Sequence, residues 1–239
     1  MKNIWKPLDQ VIQFMNKCAL LILVATGASI TSVCGQPYVK ADHISWSVIY
    51  DYGIMSPAVV YYELQASDFR GSLSDKVKHF RMDYLLPPPH VKNSSFAFSG
   101  YQRGHLCPSG DRDSRKSWFK DTYFTSNVLP MTADCNAGAW KDTELKCRKQ
   151  CVSGCKLKIA CGGIDYKPIQ DEIDGSILMV PDSVWKIACC EVHSGERWCW
   201  IIPNARRARG ANYYIRNPTD LYDRLPTIIS NYLQAWIQK

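Results

Sequence analysis

Through "NAGAWKDTELKCR", Asn136, Trp140, Glu144 and Arg148 recur at every fourth position. Good helix formers and an i,i+4 charge pattern predict a helix here. On a helix this spacing makes a slowly drifting stripe along one face. A single element would then carry an amide, an indole, a carboxylate and a guanidinium on one side. Each residue alone admits an ordinary account. Asn136 can cap the helix and Trp140 can sit in the core. Glu144 with Arg148 can form a surface ion pair worth about 0.2–0.5 kcal/mol.

The segments before the stripe decide how much it means. "GYQRGHLCPSGDR", Gly100 to Arg112, places His105 between an arginine-glycine step and a Leu-Cys-Pro turn. "DTYFTSNVLP", Asp121 to Pro130, reads as a strand ended by Pro130. Upstream, "WSVIY" and "AVVYYEL" are β-branched and aromatic, and read as strands separated by a turn at 53–57. "KLKIACGG", "GSILMVPDSVWKIACCEV" and "WCWIIPN" read as further strands. "TDLYDRLPTIISNYLQAWIQK" reads as a closing helix broken before Pro226. Strands outnumber helices and their connections are irregular, which predicts an α+β layered domain rather than regular βαβ winding.

The N-terminus reads as a targeting segment. Lys2, Lys6 and Lys17 flank the apolar run of "CALLILVATGASI". Its dense core, Ala19 to Ala25, is short of the about 20 apolar residues a membrane span needs. An export signal, or a membrane or lipid anchor at Cys34, is expected over residues 1–35, ahead of one domain over 36–239. The leader contains no arginine and does contain Asp9, which disfavours a mitochondrial presequence. Of the 11 cysteines, Cys18 and Cys34 lie in that leader. In an exported chain the rest imply several disulfides with at least one thiol left over. Cys147, Cys151 and Cys155 are spaced four apart and lack the Cys-x-x-Cys pairs of common metal sites. The net charge of +7 favours an anionic partner, though many basic proteins bind none.

The order "YQRGH", "TSNVLP", "NAGAWKDTELKCR" resembles the DNA/RNA non-specific endonucleases of the ββα-metal group, which include secreted bacterial nucleases and endonuclease G. Their signature is an Asp-Arg-Gly-His segment, then a strand with Ser-Asn or Thr-Asn before a proline, then a helix with Asn-x3-Trp-x3-Glu. Similarity extends over about residues 46–205. The resemblance implies an α+β ββα-metal (His-Me finger) fold with a central antiparallel sheet flanked by helices and long loops. It implies hydrolysis of DNA and RNA, single- or double-stranded, held mainly through phosphates, with 5′-phosphate products. His105 would be the general base, and Asn136 would bind one Mg²⁺ (Mn²⁺ or another divalent ion serving equally). Glu144 would reach the ion through water. Arg148 would clamp phosphate, Arg103 would support phosphate or site geometry, and Lys78 would add a further basic group. Asn127 would orient the site. A homodimer is compatible with this family, and a small-molecule cofactor is not required.

Gln102 departs from the signature, standing where the family has aspartate. This neutral amide should alter metal affinity or pH optimum. It also keeps open a second account, a weakened nuclease fold that binds nucleic acid or a protein partner at the cell surface. The remaining histidines, His43, His79, His90 and His193, carry no motif and are expected in loops or at the surface. Arg112, Arg115 and the "NARRARG" run are either phosphate contacts or solvated charge.

Overall fold

The computed structural model describes residues 38–73, 79–97, 99–170, 177–192, 196–206 and 209–238. The leader (residues 1–35), Lys78, His193 and Arg207 lie outside them. Six strands form one antiparallel sheet in the order β1-β2-β3-β6-β7-β8. They are β1 (Tyr38–Asp42), β2 (Ser47–Asp51), β3 (Ser56–Leu64), β6 (Leu157–Gln170), β7 (Ile177–Cys190) and β8 (Arg197–Pro203). A separate two-stranded ribbon pairs β4 (Gln102–His105) with β5 (Val128–Met131). The helices are α1 (Lys116–Asp121), α2 (Lys141–Val152), α3 (Pro218–Tyr222) and α4 (Thr227–Gln238). The chain is thus α+β, as expected. The closing segment is broken before Pro226, and Asn217 caps α3 by accepting from the Thr219 amide.

Alternation along the strands builds two cores, one on each sheet face. Val48, Val60, Tyr62, Ile159, Cys161, Val184 and Trp200 face one way, toward the ribbon and α2. Val59, Tyr61, Ala160, Trp185, Ile187 and Ile201 face the other way, where Leu221, Leu225, Ile229 and Leu233 cover them. The sheet is therefore the middle layer, with the ribbon and α2 on one side and the C-terminal helices on the other.

Three expectations are corrected. The strand expected over 121–130 is only β5, because a 3-10 turn at Thr125–Asn127 precedes it. The Asn127 side chain bonds to the backbone of Cys107 and Thr122, which turns the chain before pairing begins. Pro130 lies inside β5 rather than ending it, as a ribbon edge tolerates. Nor do the described cysteines form several disulfides. Among the described residues Cys155 bonds Cys190, while Cys107, Cys135, Cys147, Cys151, Cys161, Cys189 and Cys199 are free and buried. They pack as small apolar side chains. Among the described residues Cys147 and Cys151 join no metal-ligand cluster. Cys155, Cys190 and Glu196 converge, but the first two are already bonded to each other.

His43 and His90 lie in loops, as expected, but their side chains are buried rather than at the surface. The His43 ring stacks on Trp46 with centroids 3.8 Å apart. Its Nε2 lies 2.9 Å from Asp83 Oδ2, and its Nδ1 lies 3.6 Å from Asp121 Oδ1. Ser126 also donates to Asp83, and the Ile44 amide donates to Asp121. This cluster ties the β1–β2 turn to the loop at Asp83 and to the end of α1 and the chain leaving it. Burial alone would lower the His43 pKa, but the adjacent Asp121 and Asp83 carboxylates hold it above its ordinary value. Burial would raise Asp83, and the bond from His43 instead holds it below its ordinary value.

The signs follow. His43 stabilises the fold fully below its ordinary pKa of 6.5, and that contribution is lost as pH rises through the raised value. Asp83 contributes fully above 3.8 and loses its contribution as pH falls through the lowered value. His43→Phe keeps the ring but leaves two buried carboxylates without their cation, and should cost about 3–5 kcal/mol at pH 5. Urea unfolding at pH 5 and pH 9 checks this. The wild type should lose stability between them more steeply than the variant, and equal losses would exclude His43 as the titrating group.

Candidate active site

The ribbon and the following helix form one unit. From Cys135 to Trp140 the chain turns in a π-helical segment, with Gly138 at φ −101°, ψ −110°. It then becomes regular in α2. Asn136 is therefore not a helix cap, and the even stripe expected from the sequence is interrupted between Asn136 and Trp140. Within α2 the i,i+4 relation of Glu144 and Arg148 holds.

Two hydrogen bonds join this unit to β4. The Trp140 indole Nε1 donates to the His105 carbonyl over 2.9 Å. The Asn136 amide Nδ2 donates to Gln102 Oε1, also over 2.9 Å. Asn136 thereby keeps its Oδ1 as a neutral oxygen donor. Asn136 Oδ1 and the Glu144 carboxylate are oxygen donors of the kind a hard divalent cation takes.

The His105 ring is half-buried. Tyr123 meets it edge-on and Phe80 packs obliquely, each with centroids 5.1 Å away. Arg103 braces that wall. Its Nε and Nη2 donate to Asn93 Oδ1 and the Asn93 carbonyl at 2.6 and 2.7 Å, and its guanidinium lies over Phe96 and Phe80. Asn127 is fully buried. Its Oδ1 accepts from the Cys107 amide, and its Nδ2 donates to the Cys107 and Thr122 carbonyls, each at 2.8 Å. It thus fixes the turn that follows His105.

The Glu144 side chain is 14% exposed. Burial pushes its carboxyl up to about 7, with Lys186 pulling down and Asp111 pushing up. Arg148 Nη2 lies 3.7 Å from Glu144 Oε2, but its tighter partner is Asp111, at 2.7 Å from Nε. The pair is therefore part of a half-buried network rather than a surface bridge.

Lys186 is absent from the sequence-derived set. Strand alternation puts it on the buried face of β7, opposite Cys161 and Trp200. It is 0% exposed, and its Nζ lies 4.2 Å over the Trp140 ring with no hydrogen-bond partner. The π face and the Glu144 carboxylate offset a charge that would otherwise be costly to bury. Alternation could have flagged a lysine on a core face, but not which partner it meets.

Arg112 is no phosphate contact. It is 1% exposed and donates to the carbonyls of Ser45 and Glu63. Arg115 lies over Trp118, and Arg209 lies over Tyr213.

The sequence matches the family described as DNA/RNA non-specific endonuclease over residues 31–227. A nuclease of Nostoc sp. is 34% identical over 118 residues, covering 48% of this chain and 41% of the relative. The mitochondrial nuclease EXOG of Danio rerio is 30% identical over 200 residues, covering 75% and 58% respectively. The alignments thus span about two-fifths to three-fifths of these relatives' lengths. An EndoG chain, solved in an EndoG/EndoGI complex, superposes with a TM-score of 0.66 at 20% identity. It covers 78% of this chain and 83% of that one, and supports the fold.

Gly104 sets the spacing of the ribbon. A Cβ there would lie 2.3 Å from Met131 Sδ, in a side chain that is fully buried. Gly104→Ala should cost about 1–3 kcal/mol by overpacking. Combined with Met131→Ala, it should cost less than the sum of the two single changes by chemical denaturation. Strict additivity would show that the two positions do not collide.

Proposed function

The chain belongs to the DNA/RNA non-specific endonuclease family, and on that premise we propose that it hydrolyses phosphodiester bonds in DNA and RNA with little sequence or sugar preference. The observation that supports this most is the hydrogen-bonded junction of β4 with the Asn136–Trp140 turn. It puts an imidazole, a neutral oxygen donor and a half-buried carboxylate on one rigid unit.

In this reading the His105 imidazole takes the proton of the attacking water. A base of that kind contributes about 10²–10⁴-fold. Asn136 Oδ1 would ligate one divalent cation, Mg²⁺ or Mn²⁺, with Glu144 holding one of its waters. When bound, such an ion would supply positive charge that stabilises the oxygen leaving phosphorus. Arg148 faces the phosphate, and Lys78 adds a further cation. Arg103 keeps the Phe80 wall against His105, and Asn127 keeps the turn behind it. Products would carry a 5′-phosphate. Substrate is held through phosphates, so binding weakens as salt rises. Export of a single domain over 36–239, behind a signal or anchor over 1–35, fits the lysines and apolar run of the leader. The family also accommodates a homodimer.

Gln102 supports one rival, a nuclease fold that binds nucleic acid or a protein partner without cutting. Its carbonyl engages Asn136 as a neutral group where the family has a carboxylate.

Supercoiled plasmid and single-stranded RNA, each with Mg²⁺ or EDTA, separate the two. Cutting of both, abolished by EDTA and reduced at least about a hundredfold in His105→Ala, is the expected result. Binding without cutting would favour the rival. Asn136→Ala should raise the half-saturating Mg²⁺ concentration sharply, and an unchanged value would move the ion elsewhere.

A further inference from the structure

We propose that Asp111 and Tyr62 are positioning residues that aim the Arg148 guanidinium. The inference rests on the reading of Arg148 as the phosphate-facing arginine.

Asp111 ends the 3-10 turn Ser109–Asp111 and is fully buried. Both its oxygens are engaged. Oδ1 accepts from Arg148 Nε at 2.7 Å, and Oδ2 accepts from the Tyr62 hydroxyl at 2.9 Å. A carboxylate held on both oxygens cannot swing, so the guanidinium bound to it has one orientation. Its Nε edge faces Asp111, and its Nη2 lies on the Glu144 side, 3.7 Å from that carboxylate. The Arg148 side chain keeps 22% exposure, so part of it remains open to a ligand.

The turn that carries Asp111 is itself anchored. Arg112 Nη2 donates to the Glu63 carbonyl at 2.7 Å and to Ser45 at 2.8 Å, and Nη1 lies 3.4 Å from Asp68. Tyr62 and Glu63 are neighbours in β3, so one strand fixes both the hydroxyl and the turn. Gly110 closes the device, because a Cβ there would lie 2.9 Å from Arg148 Nη2. Neither Asp111 nor Tyr62 needs to touch substrate.

The test is a pair of double-mutant cycles read as kcat and KM, with melting temperature and affinity for a short 5′-phosphorylated oligonucleotide in EDTA measured alongside. Asp111→Asn should lower kcat/KM about tenfold to a hundredfold, from misplacement of a phosphate-binding group. Tyr62→Phe keeps the ring and should lower it about two- to tenfold, the worth of one hydrogen bond. In an Arg148→Ala background both losses should vanish to within about twofold. Oligonucleotide affinity should follow the same pattern. Full losses persisting without Arg148, or a fall in melting temperature with unchanged kcat/KM and affinity, would overturn the proposal. Should Asp111→Asn fail to fold, the Tyr62→Phe cycle decides alone. If the wild type binds but does not cut, the nuclease reading falls, and the affinity cycle still decides this one.

Discussion

The indole of Trp140 is the hinge pin of the site. It is fully buried, donates to the His105 carbonyl, and lies over the ammonium of Lys186. These contacts join three elements that are far apart in sequence: the β4 strand carrying His105, the turn carrying Asn136, and the β7 strand of the central sheet. A hydrogen bond to a backbone carbonyl has direction as well as strength. It therefore fixes where the helix starts relative to the histidine, which burial of a featureless apolar side chain would not do.

Around that pin the polar groups form a continuous chain. Lys186 acts on Glu144, Glu144 pairs with Arg148, Arg148 binds Asp111, and Asp111 accepts from Tyr62. Each member sits where burial alone would be unfavourable, and each is offset by the next. Glu144 and Arg148 are thus tied to the sheet, the most extensively paired part of the molecule, through Lys186 and, by way of Asp111, Tyr62. The surface loops contribute less to their placement.

Much of this was legible in the sequence, for a physical reason. His105, Asn127, Asn136, Glu144 and Arg148 carry distinctive side chains at short, fixed separations, so their order survives as a pattern. Strand alternation likewise announced most of the central sheet. The parts that stayed hidden depend on register between distant segments. Nothing near Lys186 says that it will lie opposite Cys161 beneath Trp140. Nothing near Asp111 names Tyr62. Asn136 looked like a cap because a π-helical turn cannot be told from an α-helical start by residue type. The cysteines misled in the other direction. Their number suggested bridges, whereas the described ones are buried in strands, in α2 and in the turns around β4 and β5, where they are core filler with one tie among them.

That one tie has a mechanical meaning. Trp140 fastens the start of α2 to the ribbon, while Cys155, just beyond its end, is bonded to Cys190 at the end of β7. A rod clamped at one end bends most at its free tip, whereas one clamped at both ends yields far less to a load applied between the clamps. Glu144 and Arg148 occupy that middle span. Under the proposed function, a phosphate chain drawn against them would meet groups that yield little.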